Sequence, residues 1–158
     1  MCIRDRGNED CDLQSLIGME IGEEEEQTLI GFCVLGGIFG EGIDLKKDSL
    51  IGVIVVGTGL PQVGCEREIL KDYFDDNGEN GFDYSYRYPG MNKVLQAAGR
   101  VIRTSEDVGI IVLLDERFRQ YSYRRMFPRE WEQVVPVTVD TVAKKVERFW
   151  DAWLWQQR

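Results

Sequence analysis

Four polar residues at helical spacing carry the first chemical signal in this chain. Lys93, Gln96, Arg100 and Arg103 fall at i, i+3, i+7 and i+10, so a helix through them places all four along one stripe, with Leu95, Ala98 and Ile102 on another. A guanidinium presents a planar fork of donors that stays charged at any relevant pH, a geometry matched to phosphate and carboxylate oxygens. The arrangement is not free. A helix-interior glycine at position 99 costs about 1 kcal/mol relative to alanine, and two cations at i,i+3 repel by a few tenths more. Tight helix packing would account for Gly99, and a solvated face would account for the arginines, as readily as a bound anion does.

A second signal is the glycine-rich turn "LGGIFGEGIDL". Gly36, Gly37, Gly40 and Gly42 follow an apolar run directly, and open α/β sheets place ligands at the carboxyl ends of their strands. Glu41 and Asp44 in that turn could accept hydrogen bonds from sugar hydroxyls or an arginine. Without a G-K-[ST] sequence, the turn cannot cradle a triphosphate as a P-loop does.

Composition removes other chemistries. The 158 residues contain no histidine, which excludes imidazole general-base catalysis and histidine metal ligation. Cys2, Cys11, Cys33 and Cys65 form no C-x-x-C pair, so no zinc ribbon or local iron–sulfur ligand run is encoded, and no metal site is expected. Cys33, inside an apolar run, is expected to be a buried small hydrophobe. With 28 acids against 19 bases, net charge −9, the chain as a whole lacks the basic surface of a free-standing nucleic-acid binder. No signal peptide and no apolar run of bilayer-spanning length is evident, so the default expectation is a reduced, cytoplasmic protein with no membrane partner.

The elements that must hold these residues follow from apolar patterning. "TLIGFCVLGG" (Thr28 to Gly37), "LIGVIVVGTG" (Leu50 to Gly59) and "VGIIVLLDERF" (Val108 to Phe118) are near-continuous apolar runs, the pattern of buried parallel strands. Between the second and third lie two helical segments, one expected to open at Pro61, the other running through "YPGMNKVLQAAGRVIRT". "DDNGENGFDYSYRY" reads as a turn-rich, exposed excursion, whose Tyr84, Tyr86 and Tyr88 pack it onto the domain or stack bases. The tail contains an amphipathic helix at about 139–156, with Val142, Val146, Phe149 and Trp153 on a stripe suited to core docking. Lys144, Lys145 and Arg148 form its solvated face, and Trp150, Trp153 and Trp155 cannot all point one way. The acidic run Glu23 to Glu26 reads as solvated helix rather than a metal site. The opening "MCIRDR" and "GNEDCD", residues 1–12, are polar and without period, and are set aside as a disordered or non-native leader. Residues 13–158 then form one α/β domain with a mainly parallel central sheet.

"QAAGRVIR", Gln96 to Arg103, resembles the Q-x-x-G-R-x-x-R element, motif six, of superfamily-two helicases, and "GGIFGEGIDL" resembles their motif five at the preceding strand end. With "LIGVIVVGTGLP", "YRYPGMNKVLQAAGRVIR", "DVGIIVLLDERF" and "FPREW", the stretch from about Phe32 to Trp131 is similar to the second RecA-like domain of DinG/XPD-type DNA helicases. The resemblance implies a RecA-like three-layer domain, incomplete at its N-terminus, belonging to an ATP-driven enzyme that unwinds DNA with 5'-to-3' polarity. It implies ATP and Mg2+ clamped between this domain and a first RecA-like domain, single-stranded and forked DNA as partners, and in many relatives a [4Fe–4S] cluster in that first domain only. By position, Arg100 and Arg103 would be arginine fingers, with Gln96 near the γ-phosphate or attacking water. Gly99, Gly40, Glu41, Gly42 and Asp44 would line the nucleotide site, the turn linking it to bound DNA, and Asp115 with Arg117 would brace the site or form a plain salt bridge. Gly40 stands where relatives often have serine. The chain has neither Walker lysine nor acidic Walker-B box, so it is expected to be a helicase fragment that does not hydrolyse ATP by itself. The contrasting expectation is a non-catalytic, degenerate RecA-like domain whose acidic surface and aromatic tail dock a protein. Retention of Gln96, Gly99, Arg100 and Arg103 favours the former.

Overall fold

A computed structural model describes residues 2–4, 30–37, 50–104, 107–131 and 134–156. Among the described residues there are two short parallel sheets. Strand β1 (Cys2–Arg4) pairs with β2 (Ile30–Phe32), and β3 (Gly52–Val56) pairs with β4 (Ile110–Leu114), in register from Gly52 opposite Ile110 to Val56 opposite Leu114. Three residues of the segment set aside as a leader thus lie in a strand; the others lie outside the described residues. The β3 to β4 connection carries helix α1 (Cys65–Asp76), a π-helical segment (Asp83–Arg87) and helix α2 (Tyr88–Ala98). After β4 come a 3-10 turn (Glu116–Arg119), a single helical turn α3 (Tyr121–Arg124) and the long helix α4 (Val139–Gln156). This is the expected α/β order.

The core forms where α2 crosses the β3–β4 sheet. Val55 meets Met91 and Val94 of α2, with Phe118 and Tyr123 closing one end and Val53, Leu95 and Leu113 packed around them. Only one face of β3 is used. Ile54 and Val56 remain 65% and 76% exposed, and Leu114 on β4 is exposed beside them. The apolar run therefore does not correspond to a strand covered on both sides among the described residues, because an unalternating pattern records what both faces can tolerate and not what covers them. The same correction applies to β2, whose Ile30 and Phe32 are exposed, and to Cys33, which is exposed rather than buried.

The lead-in to each helix also differs from expectation. α1 begins at Cys65 after an extended Gly64, so Pro61 precedes the helix without opening it. The "DDNGENGFDYSYRY" stretch is an exposed excursion only in its first half, Asp75 to Asn80. It then winds into the π-helical segment, with Asp83, Ser85 and Tyr86 buried, and runs directly into α2. Arg67 of α1 donates to the Ser85 carbonyl (2.9 Å), the Tyr86 hydroxyl donates to Glu68, and Tyr84 stacks on Phe74 at 4.1 Å. Tyr84 and Tyr86 thus pack the segment onto α1, while Tyr88 meets Tyr84 edge to face and accepts from Arg125.

α2 is held against the sheet by a glycine pair. Gly59 (φ +65°) follows β3, and an added Cβ at Gly90 would lie 2.7 Å from the Thr58 carbonyl oxygen and 3.0 Å from Gly59 C and Leu60 N. Those neighbours are backbone atoms and cannot rotate away. Gly90→Ala is expected to lose about 2 kcal/mol of stability, since an extra methyl in a packed contact forces the chain apart; a urea midpoint equal to that of the unaltered chain would refute the contact. α4 makes no extensive contact with another described element, although Val142, Val146 and Trp153 of its apolar stripe are half-buried. Its Lys144, Lys145 and Arg148 are exposed, and Trp150 and Trp153 meet edge to face at 5.8 Å.

Candidate functional site

The helix bearing the polar stripe ends earlier than its pattern indicates. α2 closes at Ala98, Gly99 is its C-terminal cap, and the chain then tightens: the Arg100 N–H donates to the Ala97 carbonyl (3.2 Å) and that of Val101 to Ala98 (3.1 Å). Val101 is buried and pins this turn, while Ile102 points outward, 42% exposed. Arg100 and Arg103 therefore stand beyond the helix, and the cost of a mid-helix glycine does not arise. Three of the four polar residues still converge, together with Gly99. Gln96, Gly99, Arg100 and Arg103 line one open hollow of about 420 Å³, because successive i→i+3 turns keep the chain winding past the last helical residue.

Gly99 has an ordinary right-handed conformation, φ −65° and ψ −6°. A Cβ there would meet only the carbonyl oxygens of Leu95 (3.3 Å) and Gln96 (3.8 Å), atoms of its own turn. Neither a left-handed backbone nor contact with another element requires glycine here; the missing methyl leaves the floor of the hollow open.

Lys93 does not join the hollow. The end of its side chain lies against Gly36 (φ +82°), where Cδ and Cε would be 3.2 Å from an added Cβ, and so links α2 to the turn after β2. Gly40, Glu41, Gly42 and Asp44, further along that turn, lie outside the described residues.

A second hollow of about 510 Å³ shares Gly99 and Arg103 with the first but is walled by Leu95, Ala98, Ile102, Ile111, Pro128 and Trp131. Asp107 stands on its rim. This aspartate has no place on the helical stripe; it stands four residues after Arg103, where a carboxylate can turn back onto the chain. Its Oδ2 accepts the backbone N–H of Arg103 (2.8 Å) and of Thr104 (2.7 Å), and these bonds hold its carboxyl below the usual aspartate range.

Asp115 and Arg117 sit at the end of β4. The guanidinium donates to both carboxylate oxygens (2.9 and 2.7 Å), while Asp115 Oδ1 also accepts the Arg117 N–H, capping the 3-10 turn. Neither residue lines either hollow. The Arg117 guanidinium, ahead of the backbone bond, keeps Asp115 ionised below the usual range. A depressed folded pKa means that this contribution is complete above the unfolded value, about 3.9, and vanishes as pH falls through the lower folded one. Urea midpoints between pH 6 and 2.5 are therefore expected to fall less steeply for Asp115→Asn than for the unaltered chain in that acid range.

Among the described residues, no group of three acidic or cysteine side chains could hold a metal ion, and no helix is long and apolar enough to cross a membrane. The arginine pair with Gln96 suits phosphate oxygens. The described residues offer no carboxylate cluster for magnesium, and the exposed, separate Cys33 and Cys65 do not suit an iron–sulfur cluster.

Comparison with known proteins finds relatives for most of the chain. The family described as "Helicase C-terminal domain" matches residues 12–134. The regulator of telomere elongation helicase 1 homolog of Caenorhabditis elegans is 30% identical over 140 residues, 82% of this chain and 14% of that protein. A probable ATP-dependent helicase of Methanocaldococcus jannaschii is 27% identical over 151 residues, 86% of this chain and 23% of that protein. The ATP-dependent DNA helicase DinG of Photobacterium profundum is 35% identical over 89 residues, 55% of this chain and 13% of that protein. The chain thus spans less than a quarter of the length of each of these relatives.

Proposed function

The chain belongs to the helicase C-terminal domain family, and from that premise we propose that it is the arginine-supplying half of an ATP-driven DNA-unwinding motor. A first RecA-like domain would hold ATP and Mg2+, and single-stranded or forked DNA would be the track, moved along in the 5'-to-3' direction. The observation that carries this reading is the convergence on one hollow of Gln96 in the last turn of α2, Gly99 at its cap, and Arg100 and Arg103 just beyond it. Phosphoryl transfer spreads negative charge over the equatorial oxygens, and two guanidinium groups that never lose their charge stabilise it there. Gln96, one turn earlier, can donate to a phosphate oxygen or orient a water through its amide. The open floor at Gly99 allows oxygens to approach the backbone.

Glu41, Gly42 and Asp44 would couple nucleotide state to bound DNA, with Gly40 giving the turn its freedom, and Lys93 resting on Gly36 would carry movement of that turn to α2. A non-catalytic interaction domain would have no use for two arginines and a glutamine gathered on one hollow. Since the sequence holds no G-K-[ST] loop, the purified chain is expected to show no DNA-stimulated ATP hydrolysis above background. Joined to a RecA-like first domain carrying a Walker loop, it is expected to gain that activity. Hydrolysis by the chain alone, or none by the joined protein, would overturn the assignment.

A further inference from the structure

Arg103 lies five residues past the last helical residue of α2, so the helix does not aim it. Something else must fix its backbone if its side chain is to meet a ligand reproducibly, because a donor displaced by about 1 Å loses most of its effect in a preorganised site. Asp107 is placed to do so. One carboxylate oxygen receives both the Arg103 and the Thr104 N–H, and the Asp107 N–H donates to the Thr104 carbonyl (3.4 Å), closing the turn from the other side.

The anchor is itself tied to rigid structure. Asp107 precedes β4 by three residues, and Gly109 between them allows the closest approach in this region: an added Cβ would meet Val101 Cγ1 at 2.2 Å and the Ile51 carbonyl oxygen at 3.1 Å. The Ile110 N–H then donates to the Ile51 carbonyl (3.0 Å). The path from the sheet to Arg103 is therefore short, beginning at β4, passing the packed Gly109 and crossing two charge-assisted hydrogen bonds.

We infer that Asp107 is a positioning residue, which sets the backbone of Arg103 so that its guanidinium addresses the phosphate end of the ligand in the Gln96–Arg100 hollow. This rests on the phosphate reading of that hollow. Asp107 touches no ligand itself; it acts through Arg103 and the sheet.

Chains labelled with nitrogen-15 test it, with inorganic tripolyphosphate as the probe and Asp107→Ala, Asp107→Asn, Arg103→Ala and the Arg103→Ala/Asp107→Ala double variant compared. Asp107→Ala is expected to move the amide resonances of Arg103 and Thr104 upfield with the rest of the spectrum retained, and to weaken tripolyphosphate about tenfold, as for one lost hydrogen bond's worth of positioning. Asp107→Asn keeps an acceptor oxygen and is expected to remain within about twofold. The double variant should bind no more weakly than Arg103→Ala, because a residue acting through another adds nothing once that other is gone.

Multiplying effects in the double variant, or unmoved amides in Asp107→Ala, would overturn the inference. If the unaltered chain holds no tripolyphosphate, the phosphate reading of the hollow falls and the ligand half of the inference with it. The amide shifts still decide independently whether Asp107 sets Arg103.

Discussion

Arg103→Ala, in the chain joined to a nucleotide-holding first domain, is expected to lower the maximal ATP turnover about 10³-fold while changing KM little; Arg100→Ala is expected to do the same. The magnitude follows from where the charges act. A guanidinium that meets phosphoryl oxygens mainly as they gain charge stabilises the transition state more than the bound substrate, so the loss falls on kcat. The two arginines border one hollow with Gln96, and groups working on one charge are not additive. The double variant should therefore be little worse than the poorer single one. Steady-state hydrolysis with saturating single-stranded DNA measures all three. Turnover unchanged in both single variants would refute the finger assignment, and a rise in KM alone would reduce the arginines to ground-state binding.

This prediction depends on residues that were readable in the sequence, although their geometry was not. The helical stripe from Lys93 to Arg103 gathered three polar residues that line one hollow, Gln96, Arg100 and Arg103, while Lys93 lies instead against Gly36. It misplaced the end of the helix. Leu95, Ala98 and Ile102 continue the apolar period beyond Gly99, but Val101 is the residue buried, and periodicity alone cannot distinguish a further helical turn from a tightened exit. Asp107 was missed because its contribution lies in backbone hydrogen bonds, which follow from a local turn rather than from a face. The strands were legible as parallel and apolar, and their one-sided cover was not, since Ile54 and Val56 are no less apolar than Val53 and Val55.

The largest misreading concerns Gly81 to Tyr88, the second half of "DDNGENGFDYSYRY", where the Asn, Gly and Asp density of the stretch signalled an exposed excursion throughout. Composition registers the breakers but not the ion cluster that outweighs them. Asp83, with its side chain 7% exposed, pairs with Arg87 one turn on and with Arg125 at 3.5 Å, and Arg125 donates to the Tyr88 hydroxyl at 2.9 Å. The Arg87 guanidinium lies over the Phe82 and Tyr123 rings, 5.4 and 5.2 Å from their centroids. These contacts join the π-helical segment, the start of α2 and α3 in one place.

Asp83→Ala is accordingly expected to destabilise the fold by about 4 kcal/mol, because removing one member of a buried pair leaves the other charge uncompensated. Arg87 is poorly placed to bear this: its Nε already has no hydrogen-bond partner, and without Asp83 it would keep only the two aromatic faces and partial exposure. Replacing both charges, as Asp83→Leu with Arg87→Met, should recover most of the loss, since an apolar pair of similar volume avoids the desolvation that the ions require. Urea midpoints at neutral pH for the three proteins decide it. A double variant no more stable than Asp83→Ala would mean that Asp83 acts mainly through Arg125 and Tyr88, clamping α3 to α2, rather than through Arg87. In either case the site should feel the change only through the folded fraction. Gln96 and the arginines lie at the far end of α2, and Gly90 against Thr58 fixes that helix independently of the ion cluster.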